Sequence, residues 1–381
     1  MERPLASPIK IGLVSCGLGR VSRGFESTTA NWYEILNKGI PDTQVRLFAG
    51  GAASGGVQVA NFPRNGRLCR FLRRLRLIHD GCRLEQMSFA LGLIPHLLRW
   101  RPDVLWLQEI TLGKWLLWLR RPLGLNYRLV FCDGAPVGAT AYKNFDFVQV
   151  LTPEFREEGI AAGIEPERVA VFPHPILECP PVTVQDRFAA RLALNLPASA
   201  FVVLSVAAWN RHHKRIDYVV REVASMKGPG VHLLLCGQAE AETPGIKAEA
   251  AVLLGDRCHW HTLPYERMAQ AYAAADTFVL ASLHEAFGLV LLEAVAAGLP
   301  TLAHPHPAAR FILEREPWLC DLSMPGGLAE ALRLSRERPD TGVQARTLRA
   351  RVMGRFGDQI LAPQFVALLR SARAMPLKGT P

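Results

Sequence analysis

Between Thr277 and Ala303 the chain reads TFVLASLHEAFGLVLLEAVAAGLPTLA, and this stretch limits the possible folds more than any other. An apolar run of strand length leads into a loop and a helical pattern. Gly298-Leu299-Pro300 then stops the helix before a second apolar run, which is the order of a βαβ unit. Two carboxylates bracket the helix that opens near Gly288. Glu285 and Glu293 are eight residues apart, a little over two turns, so they do not form an adjacent acid/base pair on one face. Glu285 falls in the loop at the carboxyl end of a strand, where open α/β sheets bind ligands. Glu293 falls among apolar residues that would cover the sheet, where an unpaired charge is costly. Bound ligand hydroxyls would supply it with a partner.

The chain of 381 residues is long enough for two domains, each with its own core. Its apolar fraction of 49% and charged fraction of 20% place it among soluble globular proteins. Eight cysteines are scattered without a CxxC spacing, and several fall inside apolar runs such as LVSCG and LLLCG. They read as reduced thiols of a cytoplasmic protein, not as a disulfide frame or a metal site. The first residues, MERPLASPIKIGLVS, hold no apolar region of signal-peptide length, and no stretch approaches a membrane span. A net charge of +10 points to anionic partners, such as nucleotide phosphates, acidic lipid or nucleic acid, without choosing among them.

Ile9 to Ser15 (IKIGLVS) predicts a first strand, followed by Gly17 and Gly19 and then a helical pattern. A glycine-rich turn there lets backbone amides approach a phosphate at a helix N-terminus. The spacing, GLG and then Gly24, is not a dinucleotide fingerprint, and a tight turn without a ligand explains it equally well. From Arg64 to Arg101 the chain is most basic. Leu68, Phe71, Leu72, Leu75 and Ile78 recur at helical spacing, with Arg67, Arg70, Arg73, Arg74 and Arg76 between them. Residues 64–78 thus predict either a domain helix with a solvated arginine face, the preferred reading, or contact with an anionic membrane surface. Nucleic acid is not expected, because no binding signature accompanies the charge.

Apolar runs from Asp103, Arg128, Phe147 and Arg168 then alternate with helical or turn segments, as in a doubly wound parallel sheet. Asp133 stands at the tip of the run ending in Cys132, within Asp133-Gly134-Ala135-Pro136. It is either a site acid or a turn residue. Pro173, Pro175, Pro180 and Pro181 with Cys179 mark a linker. The alternation restarts at FVVLSVAAWN and passes through VHLLLCGQ and CHWHTLP to TFVLAS, giving a second α/β sheet with no closer repeat of the first. After its first strand, Arg211, His212, His213, Lys214 and Arg215 crowd one loop. Cations where a strand yields to a helix suit a diphosphate, with a solvated charge run as the plain alternative. A metal is not expected, since no third ligand stands at the right spacing. The tail from Arg355 predicts a closing helix interrupted near Pro363.

Glu285-Ala-Phe-Gly-Leu-Val-Leu-Leu-Glu293 resembles the E-x7-E signature of the retaining family 4 glycosyltransferases of the GT-B fold. HTLPYERMAQAYAAAD, AAWNRHHKRID and RFGDQILAPQFVALL resemble their counterparts there, and the first half of the chain resembles the family less closely. The resemblance implies an α/β architecture of two Rossmann-like domains facing a central cleft. Residues 1–178 would bind the acceptor and residues 179–357 the nucleotide sugar, while 358–381 form a helix and tail returning to the first domain. It also implies that Glu293 accepts from the ribose hydroxyls and that Glu285 contacts the donor sugar. The amides of Phe287, Gly288 and Leu289 would lie near the sugar and diphosphate, and Lys214 would lie on the diphosphate. Gly17 or Gly19 would approach the same phosphates, and the backbone around Thr262 and Leu263 would read the base.

Two positions depart from the family pattern. Trp209 stands where members commonly carry an arginine five residues before the lysine, which leaves Arg211 as the substitute. Cys132-Asp133 stands at the strand end where many members have a histidine, so Asp133 would position the acceptor or help with its proton. The expected reaction has no cofactor and no metal: Lys214, Arg211 and helix dipoles stabilise the leaving diphosphate, and no DxD motif is present. The departing phosphate oxygen would take the acceptor proton during attack on the same face, with domain closure excluding water. The acceptor would be a small molecule, a glycan or a lipid-linked compound, met in the cytoplasm or at the inner face of the membrane. The competing readings are a catalytically silent sugar-nucleotide or membrane-surface binder, and a sugar-nucleotide epimerase. A phosphorylase is disfavoured because its cofactor-lysine context is missing.

Overall fold

The apolar runs form two all-parallel sheets whose central strands are buried on both faces, which is why they read as continuous hydrophobic segments instead of alternating ones. The structure is a computed structural model, and it describes all residues except 1–7, 22–23, 77–79, 135–136, 179, 227, 229, 315–316, 339–340 and 379–381. The expectations that rest on the N-terminal residues, on Ile78, on Ala135-Pro136 and on Cys179 therefore fall wholly or partly outside the described residues. Two compact units are present, one of residues 1–175 with 358–381, the other of residues 176–357.

The first unit carries β1 (Ile9–Ser15), α1 (Gly24–Asn37), β2 (Thr43–Ala49), β3 (Val57–Gln58), α2 (Arg67–Arg74) and α3 (Gly81–Trp100). It continues with β4 (Val104–Leu107), α4 (Ile110–Arg120), β5 (Arg128–Cys132), β6 (Phe147–Val150), α5 (Pro153–Ala161) and β7 (Val169–Val171). The second carries α6 (Val184–Ala193), β8 (Phe201–Val206), α7 (Ile216–Ser225), β9 (Val231–Cys236), α8 (Thr243–Leu253), β10 (Cys258–His261) and α9 (Met268–Ala274). It closes with β11 (Thr277–Leu280), α10 (Leu289–Ala296), β12 (Thr301–Ala303), α11 (Pro307–Leu313), α12 (Gly327–Glu337) and α13 (Thr341–Phe356). The last helix, α14 (Asp358–Ala374), belongs to the first unit, where Phe365 stacks on Trp32 with ring centroids 3.9 Å apart.

The strand orders place the sites. The first sheet runs β3-β2-β1-β4-β5-β6-β7 and the second β10-β9-β8-β11-β12. Each order reverses direction once, between β1 and β4 and between β8 and β11. At such a switch point the two adjacent loops diverge and leave a crevice at the carboxyl ends of the strands. The loops after β8 and β11, which hold Lys214 and Glu285, are therefore neighbours although 71 residues separate the two side chains.

Two local expectations need correction, and two strands were missed. The tail is not interrupted near Pro363: α14 runs through that proline, and the break falls at Gly357, whose amide caps α13 on the Met353 carbonyl (3.0 Å). The basic helix does not begin at Arg64, which turns inward to pair with Glu85 (2.5 Å). Within α2 only Cys69 is buried, and Leu68, Phe71 and Leu75 of the apolar stripe stay 41%, 58% and 51% exposed. The strands β2 and β3 gave no clear apolar run, because β2 alternates exposed and half-buried residues over its first half and β3 is two residues long.

Candidate functional site

In the second unit, the Lys214 ammonium forms an ion pair with Glu285 Oε1, and His213 Nε2 lies 3.9 Å from the same oxygen. The lysine is aimed by its loop. The Asn210 side chain accepts from the amides of His213 (3.1 Å) and Lys214 (2.7 Å) and donates to Glu240 (2.9 Å). Arg215, which follows, has the left-handed φ of +53° that non-glycine residues avoid. Its guanidinium donates to the carbonyls of Ala281 (3.2 Å) and Leu322 (2.6 Å) and lies over the Tyr218 ring, so tertiary contacts hold this strained turn in place. Burial acts to raise the Glu285 carboxyl, but the Lys214 charge and hydrogen bond outweigh it and hold the group below its ordinary range.

Gly288 is the N-cap of α10 at φ +80°, a conformation that suits glycine. The turn it makes lets α10 start directly after the buried Phe287, with Leu289 as the first helical residue and its amino end at the tip of β11. Glu293 lies one turn further along α10, where burial raises its carboxyl and a hydrogen bond from the Tyr272 hydroxyl (2.5 Å) works against that rise. Tyr272, on α9, is a partner that the sequence reading missed; the alanine-rich AQAYAAAD gave it no periodic prominence. Thr262 donates to the Gly237 carbonyl (2.7 Å), whose own amide donates to the His261 carbonyl (3.0 Å), which fixes the backbone of Thr262 and Leu263 beside the end of β9.

Arg211, the expected substitute cation, and Trp209, at the family's arginine position, are both used otherwise. The Arg211 guanidinium is engaged by Asp217 (3.2 Å) and Glu249 (2.9 Å), carboxylates of α7 and α8, so the structure does not bring it to the Lys214–Glu285 pair. Trp209 is buried, meets Trp260 edge-to-face at 5.0 Å and belongs to the core. Among the described residues no three His, Cys, Asp or Glu side chains converge as a metal site.

The first unit holds its own polar cluster at the switch point. Glu109, after β4, accepts from the Ser15 hydroxyl (3.0 Å) and the Cys16 amide (2.9 Å) at the end of β1. Burial, followed by the nearby Glu26 charge, pushes its carboxyl up to about 7. A Cβ at Gly17 would come within 2.1 Å of Glu26 Oε1, so a larger residue there would displace that carboxylate. Gly19 packs on the backbone of Gly51 and Ala52. Asp133 is buried at the tip of β5 and hydrogen-bonded by the Tyr142 hydroxyl. Glu26 and Glu109 were missed by sequence reasoning. Glu109 was visible in principle, as an acid directly after the strand DVLWLQ.

Comparison with known proteins bears mainly on the second unit. The sequence model of the family described as "Glycosyl transferases group 1" matches residues 186–341, the part that carries Lys214, Glu285 and Glu293. A D-inositol 3-phosphate glycosyltransferase of Mycobacteroides abscessus is 35% identical over 145 residues, which cover 36% of this chain and 32% of that protein. The chain thus matches about a third of that relative's length. Among solved structures, Anabaena HepE in complex with UDP and glucose superposes with a TM-score of 0.75 at 17% identity, over 95% of this chain and 100% of that one. Sucrose-phosphate synthase from Thermosynechococcus elongatus gives 0.74 at 21% identity, over 95% and 98%. The fold is that of the GT-B glycosyltransferases, with two parallel-sheet Rossmann-like domains.

Proposed function

We propose that this protein is a retaining, metal-independent glycosyltransferase that moves a sugar from a nucleoside diphosphate donor to an acceptor hydroxyl. The observation that carries the reading is the Lys214–Glu285 pair at the β8/β11 switch point, beside the start of α10 and one helical turn from Glu293. A nucleotide sugar needs cationic and dipolar stabilisation at its diphosphate and acceptors for its hydroxyls, and this arrangement offers both within one unit. Glu293 takes the ribose hydroxyls, Glu285 takes the sugar, Lys214 and the amides of Phe287, Gly288 and Leu289 meet the diphosphate, and the backbone at Thr262 and Leu263 faces the base. The match of the family model to this same unit supports the assignment.

In the reaction, the bond from the anomeric carbon to the phosphate oxygen breaks, and the acceptor oxygen bonds to that carbon from the same face. The acceptor proton passes to the departing phosphate oxygen, so no enzymic base is required. Lys214 neutralises the charge that builds up on the diphosphate, releasing Glu285 from their ion pair to meet the sugar. Arg211 is left to organise the loop. Asp133, held by Tyr142, is assigned to the acceptor side together with the Gly17–Gly19 turn.

Nucleoside diphosphate release from UDP-, GDP-, ADP- and dTDP-sugars, with glycan and lipid extracts as acceptors and EDTA present, tests the reading. Binding without turnover would support a silent sugar-nucleotide binder instead, which the engagement of Arg211 by Asp217 and Glu249 favours.

Residues 64–76 support a second element, peripheral contact with an anionic bilayer. Leu68, Phe71 and Leu75 are exposed, as is Phe62 at 49%, and α2 carries Arg67, Arg70, Arg73 and Arg74 without a carboxylate. Sedimentation with anionic but not neutral liposomes is expected. Equal recovery with both would remove this element and leave the catalytic reading untouched. No described helix is long and apolar enough to cross a membrane.

A further inference from the structure

The loop after β12, the neighbour of β11 in the sheet, carries His306, and the chemistry of this ring is fixed by the backbone. His306 is the N-cap of α11, and its Nδ1 accepts from the Ala309 amide (3.2 Å). A ring nitrogen that accepts carries no proton, so the neutral ring bears its hydrogen on Nε2. His306 is only 3% exposed, and Nε2 has no hydrogen-bond partner among the described residues. Leaving a buried donor unmatched is unfavourable, which makes an oxygen of a bound ligand its natural complement. The charged and titratable groups that act on the ring are Glu285, His304, His284 and Lys214, the groups of the donor site. Burial pushes the imidazole down to about 4, so the ring stays neutral near pH 7 and Nε2 remains a donor.

We propose that His306 Nε2 and Glu285 read one hydroxyl of the transferred sugar together, the imidazole donating to the hydroxyl oxygen and the carboxylate accepting its proton. A hydroxyl both donates and accepts, so it satisfies both partners at once, which a hydrogen or a fluorine at that carbon does not. The inference rests on the donor-site reading above and names a specificity-determining residue within it. His306 takes no part in the bond exchange.

The test compares His306→Asn with wild type. Asparagine keeps a side-chain oxygen to cap the Ala309 amide and deletes the Nε2 donor. The probe is whichever of UDP-, GDP-, ADP- and dTDP-glucose binds wild type most tightly, titrated beside the matching nucleoside diphosphate. Loss of one neutral hydrogen bond should weaken the nucleotide sugar by about 5- to 15-fold, with the nucleoside diphosphate unchanged within about twofold. One deoxy-sugar donor, which lacks the hydroxyl that both groups hold, should bind wild type at least as weakly as the parent sugar binds the variant, and should lose nothing further in it. His306→Gln, whose amide reaches toward the Nε2 position, serves as the second variant and should keep most of the discrimination if His306→Asn is poorly folded. Equal affinities of wild type and both variants for the sugar overturn the proposal. A parallel loss of nucleoside diphosphate affinity does so as well, because it would mean a merely structural role. Failure of wild type to bind any of the four donors overturns the donor-site reading itself.

Discussion

Replacing Lys214 by methionine should convert Glu285 from a stabilised carboxylate into a buried, unpartnered one, and the change should be visible as a reversal of pH dependence. The pair's side chains are 20% and 10% exposed, between the exposed regime, where a pair is worth under about 1 kcal/mol, and the buried regime, where losing one partner costs roughly 3–5 kcal/mol. A coupling of about 2 kcal/mol follows from those limits. In wild type the folded-state pKa of Glu285 is lowered, so the carboxylate contributes stability that is present above its unfolded pKa and lost as pH falls through the folded one. Burial is the largest single influence on this group and acts upward. Without the lysine it dominates, the folded pKa lies above the unfolded one, and the same group costs stability as pH rises.

Urea unfolding between pH 4 and 8, followed by tryptophan fluorescence in the unit that holds Trp209 and Trp260, measures both effects. Lys214→Met should be destabilised near pH 7 and should recover toward acid. Lys214→Met/Glu285→Gln should regain about 2 kcal/mol at pH 7 and lose the slope. If Lys214→Met keeps the wild-type slope, or the double variant is no more stable than the sum of the single changes predicts, the pair is a surface contact and the argument built on it fails.

Tyr272→Phe removes the hydrogen bond that works against the burial of Glu293, so that carboxyl should titrate higher still. Nucleoside diphosphate affinity near pH 7 should fall roughly 10-fold, the scale of one hydrogen bond to a charged group, and recover at higher pH; a pH-independent affinity would show that the tyrosine does not act through the glutamate. Glu109→Gln should remove a pH dependence from the first unit. The wild-type group, raised to about 7, favours the folded state below its unfolded pKa, and that contribution is lost as pH rises from about 4.5 to 7. It amounts to about 3 kcal/mol, and glutamine mimics the protonated carboxyl, so thermal unfolding profiles of the two proteins should run together at acid pH and diverge as pH rises toward 7 and above, with wild type the less stable; they would be parallel if Glu109 were ordinary.

Much of this arrangement was legible in the sequence for an identifiable reason. In a parallel α/β sheet each strand is a closed apolar run and each carboxyl end is a loop, so runs such as FVVLSV and TFVL mark both the core and the places where site residues stand. Lys214, Glu285 and Glu293 could be found in that way. What the one-dimensional pattern does not carry is which loops become neighbours, and that is set by strand order. The pairing of Lys214 with Glu285, and of Glu109 with the end of β1, follows from β8 adjoining β11 and β1 adjoining β4. Arg211 shows the converse. Its sequence position suits a phosphate, but Asp217 and Glu249 on two later helices compete for the guanidinium, and local spacing does not reveal them. Likewise Tyr272 and His306 act through single hydrogen bonds, to Glu293 and from Ala309, that leave no periodic trace.

The central claim is that the second unit holds a nucleotide sugar for transfer, and the most direct measurement is acceptor-dependent release of nucleoside diphosphate in the presence of EDTA. The account predicts release from one donor of the UDP-, GDP-, ADP- and dTDP-sugar panel, indifferent to EDTA. Lys214→Ala should lower it by at least about 100-fold, the scale of removing one preorganised electrostatic contact from a transition state, while Glu293→Ala should weaken donor binding. Release that needs a divalent ion, or that survives both substitutions unchanged, would contradict it.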